Sequence, residues 1–103
     1  MSETEIRPIQ LLRKLNPDIK EEVYKVFRLG EKYFVLFVAY AHSTVNDNLI
    51  CINEEGHLVW RIKNPTTCPI QSFNPNTMEA FLQGGPILKL SDTGEVIEID
   101  EHK

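Results

Sequence analysis

The chain has little with which to cross a membrane, bind a metal or grip a phosphate. Its longest uncharged apolar run is Tyr33–Ala41, nine residues, where a membrane-spanning helix needs about 20. The start, Met1-Ser2-Glu3-Thr4-Glu5, is polar and acidic. No basic segment leads there into an apolar one, so no secretory signal is read and we expect a cytoplasmic protein. Cysteine is scarce. Cys51 and Cys68 are the only two, and in a reducing compartment both are free thiols. Their redox state stays open, because sequence does not give the geometry that a disulfide requires. Basic residues are outnumbered, with 11 Lys and Arg against 15 Asp and Glu and a formal net charge of -4. A general binder of nucleic-acid phosphates needs a basic face, and this composition argues against one.

Catalytic patterns are also missing. The three histidines, His42, His57 and His102, form no H-x-x-x-H pair, and the two cysteines form no C-x-x-C pair. Metal-ligand spacing is therefore absent. Gly84-Gly85-Pro86 does not lead into a helix, so it lacks the amide cradle and dipole of a phosphate loop. The acidic pairs Glu21-Glu22 and Glu54-Glu55 read as solvated faces and turns. A glycosidase would need two carboxylates held about 5 to 10 Å apart in a cleft, and nothing in the pattern suggests one. We expect no cofactor and no enzyme.

What is present is a duplication. Leu49-Ile50-Cys51-Ile52-Asn53-Glu54-Glu55-Gly56-His57-Leu58-Val59-Trp60-Arg61-Ile62 aligns without a gap on Ile87-Leu88-Lys89-Leu90-Ser91-Asp92-Thr93-Gly94-Glu95-Val96-Ile97-Glu98-Ile99-Asp100, 38 residues further on. Each copy is a short apolar strand, a polar turn with one glycine, and a second apolar strand. Upstream, the spacing of Ile9, Leu12 and Leu15 predicts a short amphipathic helix over about 8–15, with Pro8 in its first turn. Asn16-Pro17-Asp18 ends it, since the residue before proline leaves the α region. The same triplet also fits the start of a second helix, so residues 17–27 are open between helix and strand. The β-branched and aromatic content of Val23-Tyr24-Lys25-Val26-Phe27-Arg28-Leu29 favours strand. A turn at Gly30-Glu31-Lys32 then leads to Tyr33-Phe34-Val35-Leu36-Phe37-Val38-Ala39-Tyr40, apolar on both faces, as a strand covered above and below would be.

These signals predict a mainly β single domain over 1–103. It comprises two antiparallel meander units of about four strands, over about 22–62 and 70–100, with a short N-terminal helix. The repeat length fits one blade-like sheet per unit. Each unit has an apolar face to bury, so the two are stacked on each other or continuous.

Cys51-Ile52-Asn53-Glu54-Glu55-Gly56-His57-Leu58-Val59-Trp60-Arg61 resembles the strand-turn-strand core of a quinoprotein-type (PQQ-like) β-propeller repeat, in which a D-x-x-T-G-x-x-x-W pattern closes each blade. Gly56 and Trp60 match the glycine and tryptophan, while Glu55 stands where threonine is usual. In the second copy Asp92-Thr93-Gly94 matches the turn, and Glu98 replaces the tryptophan. The resemblance covers roughly 30 of the 103 residues and implies a blade-like hairpin. It carries no quinone or metal ligand and no activity.

The functional expectation is a protein-interaction or assembly module without catalysis, of the kind that serves as a microbial accessory, immunity-like or modulator protein. Its partner would be another protein or a second copy, met through a sheet edge or face. Trp60, Arg61, Tyr40 and Tyr24 are the candidate contact residues, because tryptophan, tyrosine and arginine concentrate at binding hot spots. In an alternating strand Leu58, Trp60 and Ile62 share one face, and Trp60 either meets a partner or fills the core between sheets. A second reading is a small-molecule module with a pocket at the strand ends near His42. His42 and Cys68 are its candidate ligand residues, and the same two would serve a minimal thiol or histidine enzyme.

Overall fold

A computed structural model describes residues 3–38 and 46–101, with side chains from residue 6 onward. Helix α1, Glu3–Leu15, buries Ile9 and Leu12 against the sheet beneath it. It starts five residues before the expected boundary, so Pro8 lies inside it rather than in its first turn. The missing Pro8 N–H would have reached only to the carbonyl of Thr4, so one bond near the helix start is lost and the helix is kept. Asn16 closes the other end, its backbone N–H and its Nδ2 both donating to the Leu12 carbonyl at 2.8 and 3.2 Å. Among the described residues no second helix follows. Residues 16–22 run irregularly, pinned by Arg13 Nη2 donating to the Glu21 carbonyl at 2.9 Å and by buried Ile19.

Two separate four-stranded antiparallel sheets come next. The first holds β1 (Val23–Leu29), β2 (Lys32–Phe37), β3 (Leu49–Ile52) and β4 (Leu58–Arg61), in that order. The second holds β5 (Ile70–Asn74), β6 (Glu79–Leu82), β7 (Ile87–Leu90) and β8 (Val96–Asp100), again in chain order. Residues 17–27 are thus resolved as turn, irregular chain and strand. Gly30, at φ 62°, opens the two-residue turn between Leu29 and Lys32, which are paired. A glycine in the first central position is what a type II′ hairpin requires.

The layers follow from β2. Its Phe34 and Leu36 join Leu49, Cys51, Trp60 and Ile62 on one face of the first sheet, and this face packs on Ile70, Phe73, Ala80, Leu82, Leu88 and Leu90 of the second. Its Tyr33, Val35 and Phe37 join Ile50 and Ile52 on the other face, under α1. The sheets are stacked, with the first sheet as the middle layer of three. Such burial on both sides is why β2 reads as an unbroken apolar run. Each large side chain removed from water there contributes about 1.5–3 kcal/mol. Among the described residues no layer covers the outer face of the second sheet, where Phe81 pairs with Ile87 and Lys89 with Glu98.

The duplication extends to the irregularities. Ile52 pairs with Leu58 and Cys51 with Trp60, leaving Val59 as an extra residue, and Leu90 pairs with Val96 and Lys89 with Glu98, leaving Ile97. The turns agree as well. Asn53 N–H donates to the His57 carbonyl and Gly56 N–H to the Asn53 carbonyl, as Ser91 N–H does to Glu95 and Gly94 N–H to Ser91. The first strands of the two sheets share a bulge too, at Val23/Lys25 and at Ile70/Ser72. The bulge at Val59 corrects one sequence expectation. Leu58 does not share a face with Trp60: it pairs with Ile52 of the helix-side face, while Trp60 pairs with Cys51 of the inter-sheet face. An inserted residue shifts the two-residue period by one.

Among the described residues no helix is long and apolar enough to cross a membrane.

Candidate functional site: the cleft between β4 and β8

β4 and β8 are the last strands of their sheets, each paired on one side only among the described residues. They come together through the repeat. Gly94 of the second turn is buried against the indole of Trp60 from the first hairpin, so closely that an added Cβ would lie 2.3 Å from Trp60 Cδ2. Beyond that contact the sandwich opens. A cleft of about 710 Å³ separates Arg61, Lys63 and Pro65 on one wall from the Thr93–Ile99 stretch on the other. The register shows why β8 is bare. Leu88 and Ile99 are paired and share a face, yet Leu88 is fully buried and Ile99 is 43% exposed. Cover from the first sheet stops between β7 and β8. Ile97, the bulge residue, is 67% exposed, and Leu58 and Val59 on β4 are exposed as well.

The charges are asymmetric. Residues 95–101 of the β8 edge include Glu95, Glu98, Asp100 and Glu101 and no base. Glu98 Oε2 lies 3.5 Å from Lys89 Nζ on the outer face, a surface pair worth little by itself. On the facing wall, Arg61 is already engaged. Its Nε donates to the Asp47 carbonyl at 2.8 Å, its Nη2 to Glu21 Oε1 at 2.9 Å, and its guanidinium lies 5.6 Å from the centre of the Phe37 ring. Arg61 is therefore a clip joining β4 to two irregular segments, with one side bordering the cleft. Exposed Lys63 is the more available cation.

Among the described residues, the expected contact residues Trp60, Arg61 and Tyr24 do not form one exposed surface. Trp60 is a core residue, 8% exposed, packed on Phe34 at a ring distance of 5.9 Å, with no partner for its Nε1 among the described residues. Tyr24 is 65% exposed but sits on β1, the opposite edge of the first sheet from Arg61. Tyr40 and His42 lie outside the described residues. Cys68 is half-buried against the inter-sheet core, in a loop closed by Asn64 Nδ2 donating to its carbonyl at 2.8 Å and by its own N–H donating to Thr66 Oγ1 at 3.2 Å. The exposed residues of the cleft, Ile97, Ile99 and Lys63, escaped sequence reasoning. The available signal was Glu98 in the place of Trp60, which marks β8 as the copy that is not buried twice.

Chemical groups do not converge in the cleft. Its described lining contains no histidine or cysteine, and among the described residues no group of three His, Cys, Asp or Glu is placed to hold a metal ion. The two thiols differ in burial, Cys51 being buried and Cys68 half-buried. Burial pushes the Cys51 thiol up to about 11, with the charge of Lys32 pulling it back slightly. Alkylation with iodoacetamide near pH 8 is expected to label Cys68 on the folded protein and to leave Cys51 unmodified until denaturant is added, because the thiolate is the nucleophile and must be reachable. Peptide mapping reads the result, and equal labelling of both thiols would contradict the packing of β3.

No family model, curated protein or solved structure matches this chain.

Proposed function

We propose that the protein is a non-catalytic interaction module that engages another protein chain through the β4–β8 end of its sandwich. One observation carries this reading. Two neighbouring strand edges lie unpaired among the described residues, and the large apolar side chains of Ile97, Ile99, Leu58 and Val59 stand exposed on them. Unpaired edges template strand addition, and folds that avoid it blunt such edges with charge, proline or cover. β8 is charged but also apolar and uncovered, which supports selective pairing. The cleft suits an extended chain better than an enclosed small molecule, because it is open along β8 and holds no cluster of converging polar groups.

The test pairs Ile97→Lys/Ile99→Lys with a control at an exposed position of β5, Gln71→Lys. Wild type and control are expected to retain the same cross-linkable partner from a host extract, or to show the same rise of mass with concentration by light scattering. The double variant is expected to lose it. A strictly monomeric protein with no retained partner, or a double variant that behaves as wild type, removes this reading.

A further inference from the structure

We propose that the occupant of the cleft is an extended strand alternating apolar and basic residues, which pairs along Val96–Ile99 of β8, on the side left unpaired among the described residues, as the fifth strand of the second sheet. This rests on the reading of the β4–β8 end as an interaction surface and adds the chemistry of what it takes.

The alternation is set by the register of β8. Ile99 shares the inter-sheet face with Leu88, while Glu98 and Asp100 share the outer face with Lys89 and Ile87. A strand added beside β8 inherits the same two faces, because residues directly opposite each other point the same way. Its inward side chains lie next to Ile99 and the partly buried Val96, beneath Pro65 and the stem of Lys63 on the facing wall. Apolar residues belong there, and a lysine stem can cover them while its ammonium stays in water. Its outward side chains lie next to Glu98, on the far side of the sheet from Lys63, at an edge whose residues 95–101 carry four acids and no base. Basic residues belong there, since opposite charges across a strand pair stabilise it and like charges do the reverse.

The same charges decide against a second copy of β8. Antiparallel pairing about a two-fold axis at the strand centre sets Glu98 opposite its own equivalent. Sliding the pair by two residues toward the C-terminus sets Glu98 opposite Asp100. In both of these registers carboxylates face each other across a sheet edge, with Glu95 and Glu101 adding to the repulsion. The acidic edge therefore protects against self-pairing and favours a basic strand.

Isotopically labelled protein is titrated at low ionic strength with a short peptide alternating valine and lysine, and separately with one alternating valine and glutamate. The lysine peptide is expected to shift the backbone amides of 95–100 and to bind about tenfold more tightly than the glutamate peptide, the effect of two or three cross-strand charge pairs. The preference is expected to shrink in high salt. The double swap Lys89→Glu/Glu98→Lys keeps the ion pair on the outer face but reverses the charge at the edge, and it is expected to lower the lysine preference. Glu95→Lys, in the exposed turn, serves as an independent second variant with the same expected direction. Equal binding of both peptides overturns the charge rule and leaves the interaction surface standing. Absence of any shift at 95–100 with either peptide overturns both. Self-association that shifts these same amides in the absence of peptide overturns the choice of occupant.

Discussion

Gly94→Ala is expected to cost about 3 kcal/mol of folding stability, the sum of a left-handed backbone penalty and an overpacking penalty, and to be among the most damaging single-atom additions in the molecule. Gly94 sits at φ 80°, which a side chain tolerates poorly. Its missing Cβ also leaves the space that the Trp60 indole occupies, with Cδ2, Cε3 and Cγ at 2.3, 2.6 and 2.7 Å from where that atom would be. The ring cannot retreat easily. Phe34 packs against it at 5.9 Å between centroids, and Phe73 of the second sheet backs Phe34 at 4.9 Å. Gly84→Ala is the matched control. Gly84 has φ 92° but nothing within 4 Å of an added Cβ, so it carries only the backbone part, about 1 kcal/mol. Urea denaturation followed by the fluorescence of the single tryptophan reports both, and the probe sits at the perturbed site. Equal losses for the two variants would mean that the Trp60–Gly94 contact does not hold the sheets together. The contact matters for the site as well as the core, because it closes the sandwich at the point from which the cleft opens.

That contact shows where sequence reasoning succeeds. The glycine of each repeated turn was visible in the sequence, and so was the tryptophan of the first copy. The two covered faces of β2 were legible in Phe34, Val35 and Leu36, since consecutive apolar residues on a strand leave neither face for water. Two four-stranded units followed from the repeat, whereas the choice between stacked and continuous sheets was left open by the sequence and came from the packing of one face of the first sheet on the second. What a pattern does not contain is a phase shift. The bulge at Val59 moves Leu58 to the other face of the sheet, and no propensity marks it. The start of α1 was missed because Pro8 reads as a first-turn residue, although burial of Ile9 and Leu12 sustains a helix that begins before it. The cleft was illegible for a different reason. It exists because cover from the first sheet ends between Leu88 and Ile99, a relation between two sheets that neither strand encodes alone. The same holds for the turn glycines, which the repeat makes equivalent and the fold does not. Gly56 lies against the backbone of Leu11 and Leu12 in α1, whereas Gly94 lies against Trp60.

Asn48 is the least legible residue of all, in a polar stretch that reads as loop, and its substitution by leucine is expected to cost about 3 kcal/mol or more. It is 4% exposed. Its Nδ2 donates to the Phe37 carbonyl at 3.2 Å and to the Ile70 carbonyl at 2.8 Å, while its Oδ1 accepts from the Ile70 N–H at 3.0 Å. One amide thus joins the end of β2 to the start of β5, and so fixes one sheet against the other. Leucine keeps the volume and removes every partner, leaving two carbonyls and one N–H buried without bonds. Asn46→Ala is the comparison, since among the described residues its side chain donates one bond, to the Thr66 carbonyl in a half-buried loop, and its loss should cost about 1 kcal/mol. Asn48→Asp separates polarity from donation. The ionised carboxylate has no hydrogen to offer two carbonyls, whereas the neutral acid has one. Its pKa is therefore raised on folding, and the stability of this variant is greatest below the unfolded carboxyl value of about 4 and falls as pH rises through the folded one. Urea melts of Asn48→Asp at acid and neutral pH, each set against wild type at the same pH, read that slope. A penalty that does not change with pH would show that the amide's donated bonds are not what anchors the sheets. A steep one would identify the bonds donated by the Asn48 amide as what anchors the end of β2 to the start of β5.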